Sequence, residues 1–144
     1  MALLLSTQLA GINSRPVVKP SGAEFGGRMR RYRATITLAS QANADWVQIG
    51  VQNPGDIFAF GIITSSVSLG SSVVAIGTNA THGSNGQFRA AATFTATDTP
   101  TFFGLASAVS QAAATAITPL YLTSATAALP ASGTLNIDLF FTNG

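Results

Sequence analysis

The chain of 144 residues is a single domain's length, and with 47% hydrophobic residues it can build a core. Only 8% of its residues are charged, against roughly 25% in an ordinary soluble protein. It has no cysteine, which excludes a disulfide framework and thiolate chemistry.

The net charge of +2 conceals a segregation. Arg15, Lys19, Arg28, Arg30, Arg31 and Arg33 are six of the seven basic residues, and only Glu24 opposes them there. Beyond Arg33 a single Arg89 stands against Asp45, Asp56, Asp98 and Asp138. A basic N-terminal segment on a weakly acidic body is the pattern of an arm that docks on something else. The segment 1–30 is broken by Arg15-Pro16, Lys19-Pro20, Ser21-Gly22 and Gly26-Gly27. It nevertheless carries Leu3, Leu4, Leu5, Val17 and Val18, which need burial. An extended arm laid on a neighbour reconciles the two facts better than a disordered tail, since such tails are poor in apolar residues. The opening MALLLSTQLA lacks the basic flank of a signal peptide. No apolar run approaches the roughly 20 residues of a membrane span. The expectation is a protein neither exported through a signal peptide nor embedded in a membrane.

The body, 31–144, reads as strands. Tyr32, Ala34, Ile36 and Leu38 alternate with Arg33, Thr35 and Thr37, and Val47, Ile49 and Val51 alternate with Trp46 and Gln48. Asn53-Pro54-Gly55-Asp56 is a turn. Ile57 to Ile63 is apolar on both faces and predicts a central buried strand. Val67–Gly70, Ser71-Ser72 and Val73–Ile76 predict a hairpin. Asn79–Gln87 is a polar loop, and Phe88 to Thr97 predicts a strand with Phe88, Ala90, Ala92, Phe94 and Ala96 on one side. Leu105 to Ala116 is compatible with a short helix or a small-residue loop. Ile117–Thr123 and Leu135–Phe141 complete the set. Short strands separated by turn signals predict an all-β fold, a single-domain β-sandwich of jelly-roll-like type with an extended N-terminal arm.

Reactive groups do not gather in this pattern. His82 is the only histidine and lies in a Gly/Ser/Asn loop, so neither a triad nor a His/Cys metal site can be assembled around it. Asp45 and Asp56 are the one carboxylate pair that could approach, but both stand at turns, where Asp serves local hydrogen bonds. No phosphate-cradling glycine motif occurs. The expectation is no enzymatic activity, no cofactor and no metal. Arg28, Arg30, Arg31 and Arg33, interleaved with Met29 and Tyr32, could meet nucleic acid, but salt bridges to an acidic protein surface are the better reading. A surface poor in charge suits close contact with other proteins, because few charges need desolvating.

Three segments carry a resemblance: TSSVSLGSSVVAIGT (Thr64–Thr78), FRAAATFTATDTPTFFG (Phe88–Gly104) and ALPASGTLNIDLFFT (Ala128–Thr142). They are similar to a recurring pattern in small structural proteins of tailed-bacteriophage virions, of the head decoration or cement kind. The likeness covers about 75 residues of the body and contains no catalytic residue. The loop Thr81–Gln87 is longer than the family's usual link, and the basic arm has no counterpart in it. The resemblance implies a homo-oligomer, a trimer by preference, bound to the major capsid protein on the capsid exterior. Leu3, Leu4, Leu5, Arg15, Val17, Val18, Lys19, Arg28, Arg30, Arg31 and Arg33 are then the partner-binding candidates. A second reading is a fibre or tail module that recognises host-surface glycan through Trp46, Phe102, Phe103 and the loop Asn79–Gln87. A polysaccharide-cleaving enzyme is a weak third, because its acid–base pair cannot be placed.

Overall fold

In the computed structural model, which describes residues 28–143, the alternating segments become strands β1 (Arg28–Thr37), β2 (Trp46–Gln52), β3 (Asp56–Ser65), β4 (Val73–Gly77), β5 (Arg89–Thr93), β6 (Thr101–Phe103), β7 (Thr118–Ala125) and β8 (Thr134–Asn143). One 3-10 turn, His82–Ser84, and one turn of α-helix, α1 (Ala106–Val109), interrupt them. Two four-stranded antiparallel sheets result, in the orders β1-β8-β3-β6 and β2-β7-β4-β5. First pairs with last, second with seventh, third with sixth and fourth with fifth. That is one antiparallel ribbon wound into two packed sheets, a jelly-roll-like sandwich.

Alternation places the core between the sheets. Leu135, Ile137, Leu139 and Phe141 of β8 face inward and are fully buried, against Ile36 of β1 and Phe58 and Ile63 of β3. Val74 and Ile76 of β4 and Leu120 and Leu122 of β7 close the core from the second sheet. At its centre Phe58 stacks on Phe88 with centroids 4.4 Å apart, and Phe141 meets Phe58 edge-on at 5.7 Å. Gly61 on β3 is required by this packing: a Cβ there would lie within 2.6 Å of carbons of the Phe103 ring, which fills the space.

Asp56 is completely buried where β3 begins. It accepts hydrogen bonds from the Asn53 amide (3.0 Å) and from Asn143 Nδ2 (3.3 Å), so it fixes the 53–56 turn and ties it to the last strand. Asp45 serves its own turn, accepting from the Ala42 amide at 2.9 Å. The two carboxylates stand at opposite ends of β2, about 20 Å apart for a seven-residue strand, and cannot act on one bond.

Two expectations are corrected. Val67–Gly70 is not half of a hairpin: the Leu69 amide donates to Phe94 O and Ser72 N to Leu69 O, which turns the Leu69 side chain into the core as a plug. The strand predicted over Phe88–Thr97 ends at Thr93. Phe88 and Phe94 anchor its two ends in the core, but Ala90, Ala91 and Ala92 are all exposed. β5 is an edge strand with a bulge opposite Val74 and Ile76, so strict alternation is lost. The Arg89 guanidinium spans the bulge, donating to the carbonyls of Val74, Ala92 (3.2 Å) and Thr93 (3.1 Å). Leu105–Ala116 is helical only over Ala106–Val109 and otherwise irregular.

Candidate functional site: the outer face of the first sheet

The residues of the first sheet that point away from the core follow from the register. Arg31, Arg33 and Thr35 of β1 stand opposite Phe140, Asp138 and Asn136 of β8. Those face Phe60, Ile62 and Thr64 of β3 in turn, and Ile62 stands opposite Phe102 of β6. The bulge between Phe58 and Phe60 matters here. It shifts the register so that Phe58 enters the core while Phe60, also even-numbered, points out.

Three aromatic rings consequently form a stripe across the sheet. Phe140 and Phe60 stack with centroids 4.4 Å apart at 18°, and Phe60 meets Phe102 at 5.6 Å. Phe102 ends the stripe 70% exposed. Ile62 lies beside it. An outward sheet face normally carries polar residues; this one carries four large apolar side chains.

Beside the stripe sits an ion cluster. Arg33 grips Asp138 with both prongs, Nε to Oδ1 and Nη2 to Oδ2, each 2.7 Å. Arg31 Nε approaches the same carboxylate at 3.7 Å. The Asp138 side chain is only 9% exposed. The hydrogen bonds from Arg33, with the added charge of Arg31, hold its carboxyl below the ordinary aspartate range against the opposing effect of burial. Arg30 lies 3.9 Å from Asp56 at the sandwich end, and Arg28 makes no ion pair among the described residues.

Of the sequence-predicted partner residues, Arg28, Arg30, Arg31 and Arg33 therefore all lie on β1, an edge strand, and three of them already hold carboxylates of their own chain. Tyr32 turns inward onto Phe141 at 5.7 Å. Leu3, Leu4, Leu5, Arg15, Val17, Val18 and Lys19 lie outside the described residues. The stripe itself was not singled out from the sequence. Its signal was there in part: Ile57–Ile63 is apolar at every other position of both faces, and Phe140 occupies an outward position between Asp138 and Thr142.

The glycan-contact candidates separate. Phe103 is turned inward beneath Gly61, packs against Phe58 at 6.4 Å and is partly buried, so its ring serves the core. Phe102 belongs to the stripe. Trp46 and the Asn79–Gln87 loop lie together on the outer face of the opposite sheet. Among the described residues no three of His, Asp and Glu come together, and no helix is long and apolar enough to cross a membrane.

No protein-family model matches the sequence, and no curated protein matches it. The fold is shared with chains of two solved phage capsids. One, in the cyanophage Pam1 capsid asymmetric unit, superposes with a TM-score of 0.68 at 15% identity over 92% of this chain and 97% of the other. The other, in the capsid of Ralstonia phage GP4, gives 0.65 at 18% identity over 82% and 86%.

Proposed function

We propose that this chain is a non-enzymatic structural protein of a bacteriophage virion, a decoration or cement protein that seats on the exterior of the assembled capsid shell. The observation that carries the proposal is the Phe140–Phe60–Phe102 stripe: an ordered apolar face, rimmed by the Arg31–Asp138–Arg33 cluster. The fold it shares with chains of two phage capsids supports the setting.

The physics is that of a buried anchor with a polar rim. Aromatic residues and Arg are enriched at the energetic centres of interfaces, and a chain with only 8% charged residues has few charges to desolvate around them. Arg31 and Arg33 are held in place by Asp138 before any partner arrives, which lowers the entropic cost of using them. A ligand that binds the assembled shell and not its separate subunits stabilises the shell by mass action. The major capsid protein is the proposed partner. A trimer fits this role, because closed cyclic symmetry matches the local axes of a capsid. The segment 1–27, which precedes β1 in the chain, would add its leucines and valines as further anchors on the shell or on a sibling copy.

Copy number tests the proposal. Quantitative mass spectrometry of purified virions should find hundreds of copies, close to stoichiometric with the major capsid protein. A few copies, or a few tens, would place the chain at a vertex, collar or tail and overturn the cement role.

A further inference from the structure

The outer face of the second sheet is built differently. Trp46 opens β2 beside Tyr121 of β7, whose ring it meets edge-on at 5.3 Å and 85°. Trp46 is the chain's only tryptophan, and it is 55% exposed. It is not a core residue, yet Tyr121 fixes its ring.

Facing it is the polar loop, and this loop is fastened down. Asn85 Nδ2 reaches the carbonyls of Ala75 and Tyr121, both at 3.2 Å, and Thr123 Oγ1 at 3.0 Å. Gln87 Oε1 accepts from the Thr78 amide at 3.0 Å, and its Nε2 donates to Ser84 O at 2.8 Å. His82 Nδ1 lies 3.1 Å from Thr123 Oγ1, so the imidazole is oriented by the sheet beneath it. Gly77 permits this docking, since a Cβ there would stand 2.8 Å from the Gln87 backbone nitrogen. The second wall is the Ala42–Asp45 turn, closed by Asp45 N to Ala42 O at 3.0 Å and by the Asp45 carboxylate on the Ala42 amide.

Between these walls lies a cleft of about 440 Å³, lined by Asn43, Trp46, Thr81 and His82 with two alanines and a glycine. That volume falls within the range of small-molecule sites, roughly 300–1,000 Å³. The lining has one aromatic platform, an amide, a hydroxyl and an imidazole, and no Lys, Arg, Asp or Glu. A nucleotide or other polyanion would find no cation. A metal would find one imidazole and no second strong ligand. What fits is an uncharged ring with one apolar face and a rim of hydroxyls, which stacks on an indole and exchanges hydrogen bonds with neutral donors and acceptors.

We infer that the Trp46–His82 cleft is a binding site for a neutral saccharide unit, with Trp46 as the stacking platform and Asn43, Thr81 and His82 as hydrogen-bonding partners. The inference does not depend on capsid binding, because the cleft and the Phe60 stripe lie on opposite faces of the sandwich.

The lone tryptophan makes the site its own reporter. The full chain is titrated with maltoheptaose, cellohexaose, chitohexaose and a soluble neutral bacterial O-polysaccharide while Trp46 emission is followed. The expected result is a saturable change in emission with at least one of these. Saturation is expected by about 10 mM, where a ligand with a 1 mM Kd fills most of the sites. Affinity electrophoresis in gels containing the active saccharide then compares variants. Trp46→Ala should weaken binding by tenfold or more and His82→Ala by a smaller factor, while Phe102→Ala on the opposite face changes nothing. Because Trp46 is half outside the fold, Trp46→Ala should keep the parent's circular dichroism and lower its melt by only a few degrees, leaving a folded protein for the gel assay. Absence of any emission change or gel retardation across the panel overturns the inference, as does retardation that survives Trp46→Ala.

Discussion

Phe102→Ala separates what the stripe does for the fold from what it does for a partner. Phe102 is 70% exposed, so in the free protein only about a third of its side chain is out of water. Fully burying a phenylalanine stabilises by about 1.5–3 kcal/mol, so truncation costs the isolated domain about 0.5–1 kcal/mol, a few degrees in Tm. If the shell covers the remaining two thirds, truncation removes about 1–2 kcal/mol of binding, a fivefold to thirtyfold weaker Kd. The assay is co-sedimentation of the purified protein with undecorated shells, alongside a thermal melt of the free protein. Ile117→Ala is the matched control: Ile117 is 69% exposed, precedes β7 and lies outside the stripe. The expected result is a large loss of shell affinity for Phe102→Ala and none for Ile117→Ala, with similar small changes in Tm. Unchanged shell affinity in Phe102→Ala, or equal losses in both variants, would refute the assignment of this face to the interface.

Other perturbations reach the supporting structure. Asp138 titrates below its ordinary range in the fold, so its contribution is fully present above the unfolded value and is lost as pH falls through the lower, folded value. Asp138→Asn should therefore lower Tm at pH 7 and flatten the fall in Tm below about pH 4; an unchanged acid limb in a pH series of melts counts against the pairing. Gly77→Ala should cost about 1–3 kcal/mol by pushing Gln87 off the sheet, and it should shift Trp46 emission, because the loop that faces the indole is displaced. Arg89→Met, which leaves the carbonyls of Val74, Ala92 and Thr93 without their donor, should cost about 1–3 kcal/mol in denaturant melts. Arg89→Lys should not restore the loss, since an ammonium cannot reach several carbonyls as the planar fork does.

Periodicity revealed most of the sandwich. β1, β2, β3, β7 and β8 are each written as alternation or as a two-sided apolar run, and Asn53–Asp56 marks its turn openly. What escaped depends on contacts distant in sequence. Leu69 looks like a strand residue until Phe94 O, 25 positions later, captures its amide and makes it a plug. β5 looks like the best strand in the chain, but its edge position lets a bulge and Arg89 replace alternation. The stripe needs Phe60 and Phe140 side by side, and that pairing depends on a bulge in β3 that no local pattern announces. Arg31 and Arg33 read as cations awaiting an acidic partner, because nothing near them in sequence reveals that Asp138 stands across the ladder. For the cleft the residue types were visible, Trp46 and the polar loop both standing out. Their meeting required the order β2-β7-β4, which brings residue 46 next to residue 82 over the face of a strand at 123.

The two surfaces have a geometric consequence. The outer faces of a two-sheet sandwich point in opposite directions, so a molecule seated through the Phe60 stripe turns the Trp46 cleft away from the shell. The low charge of the chain then serves both ends: it eases desolvation beneath one sheet and leaves the other free of polyanion traps. Acrylamide quenching of Trp46 measures this directly. In the free protein the half-exposed indole should be quenched readily. On decorated shells the quenching constant should stay within about a factor of two, because diffusion slows while accessibility from the solvent side persists. If decoration instead abolishes quenching in a protein whose free oligomer is quenched readily, the shell itself covers the second sheet. The seating face is then the one that carries Trp46, and Phe102, 70% exposed, is left facing solvent at the end of the stripe.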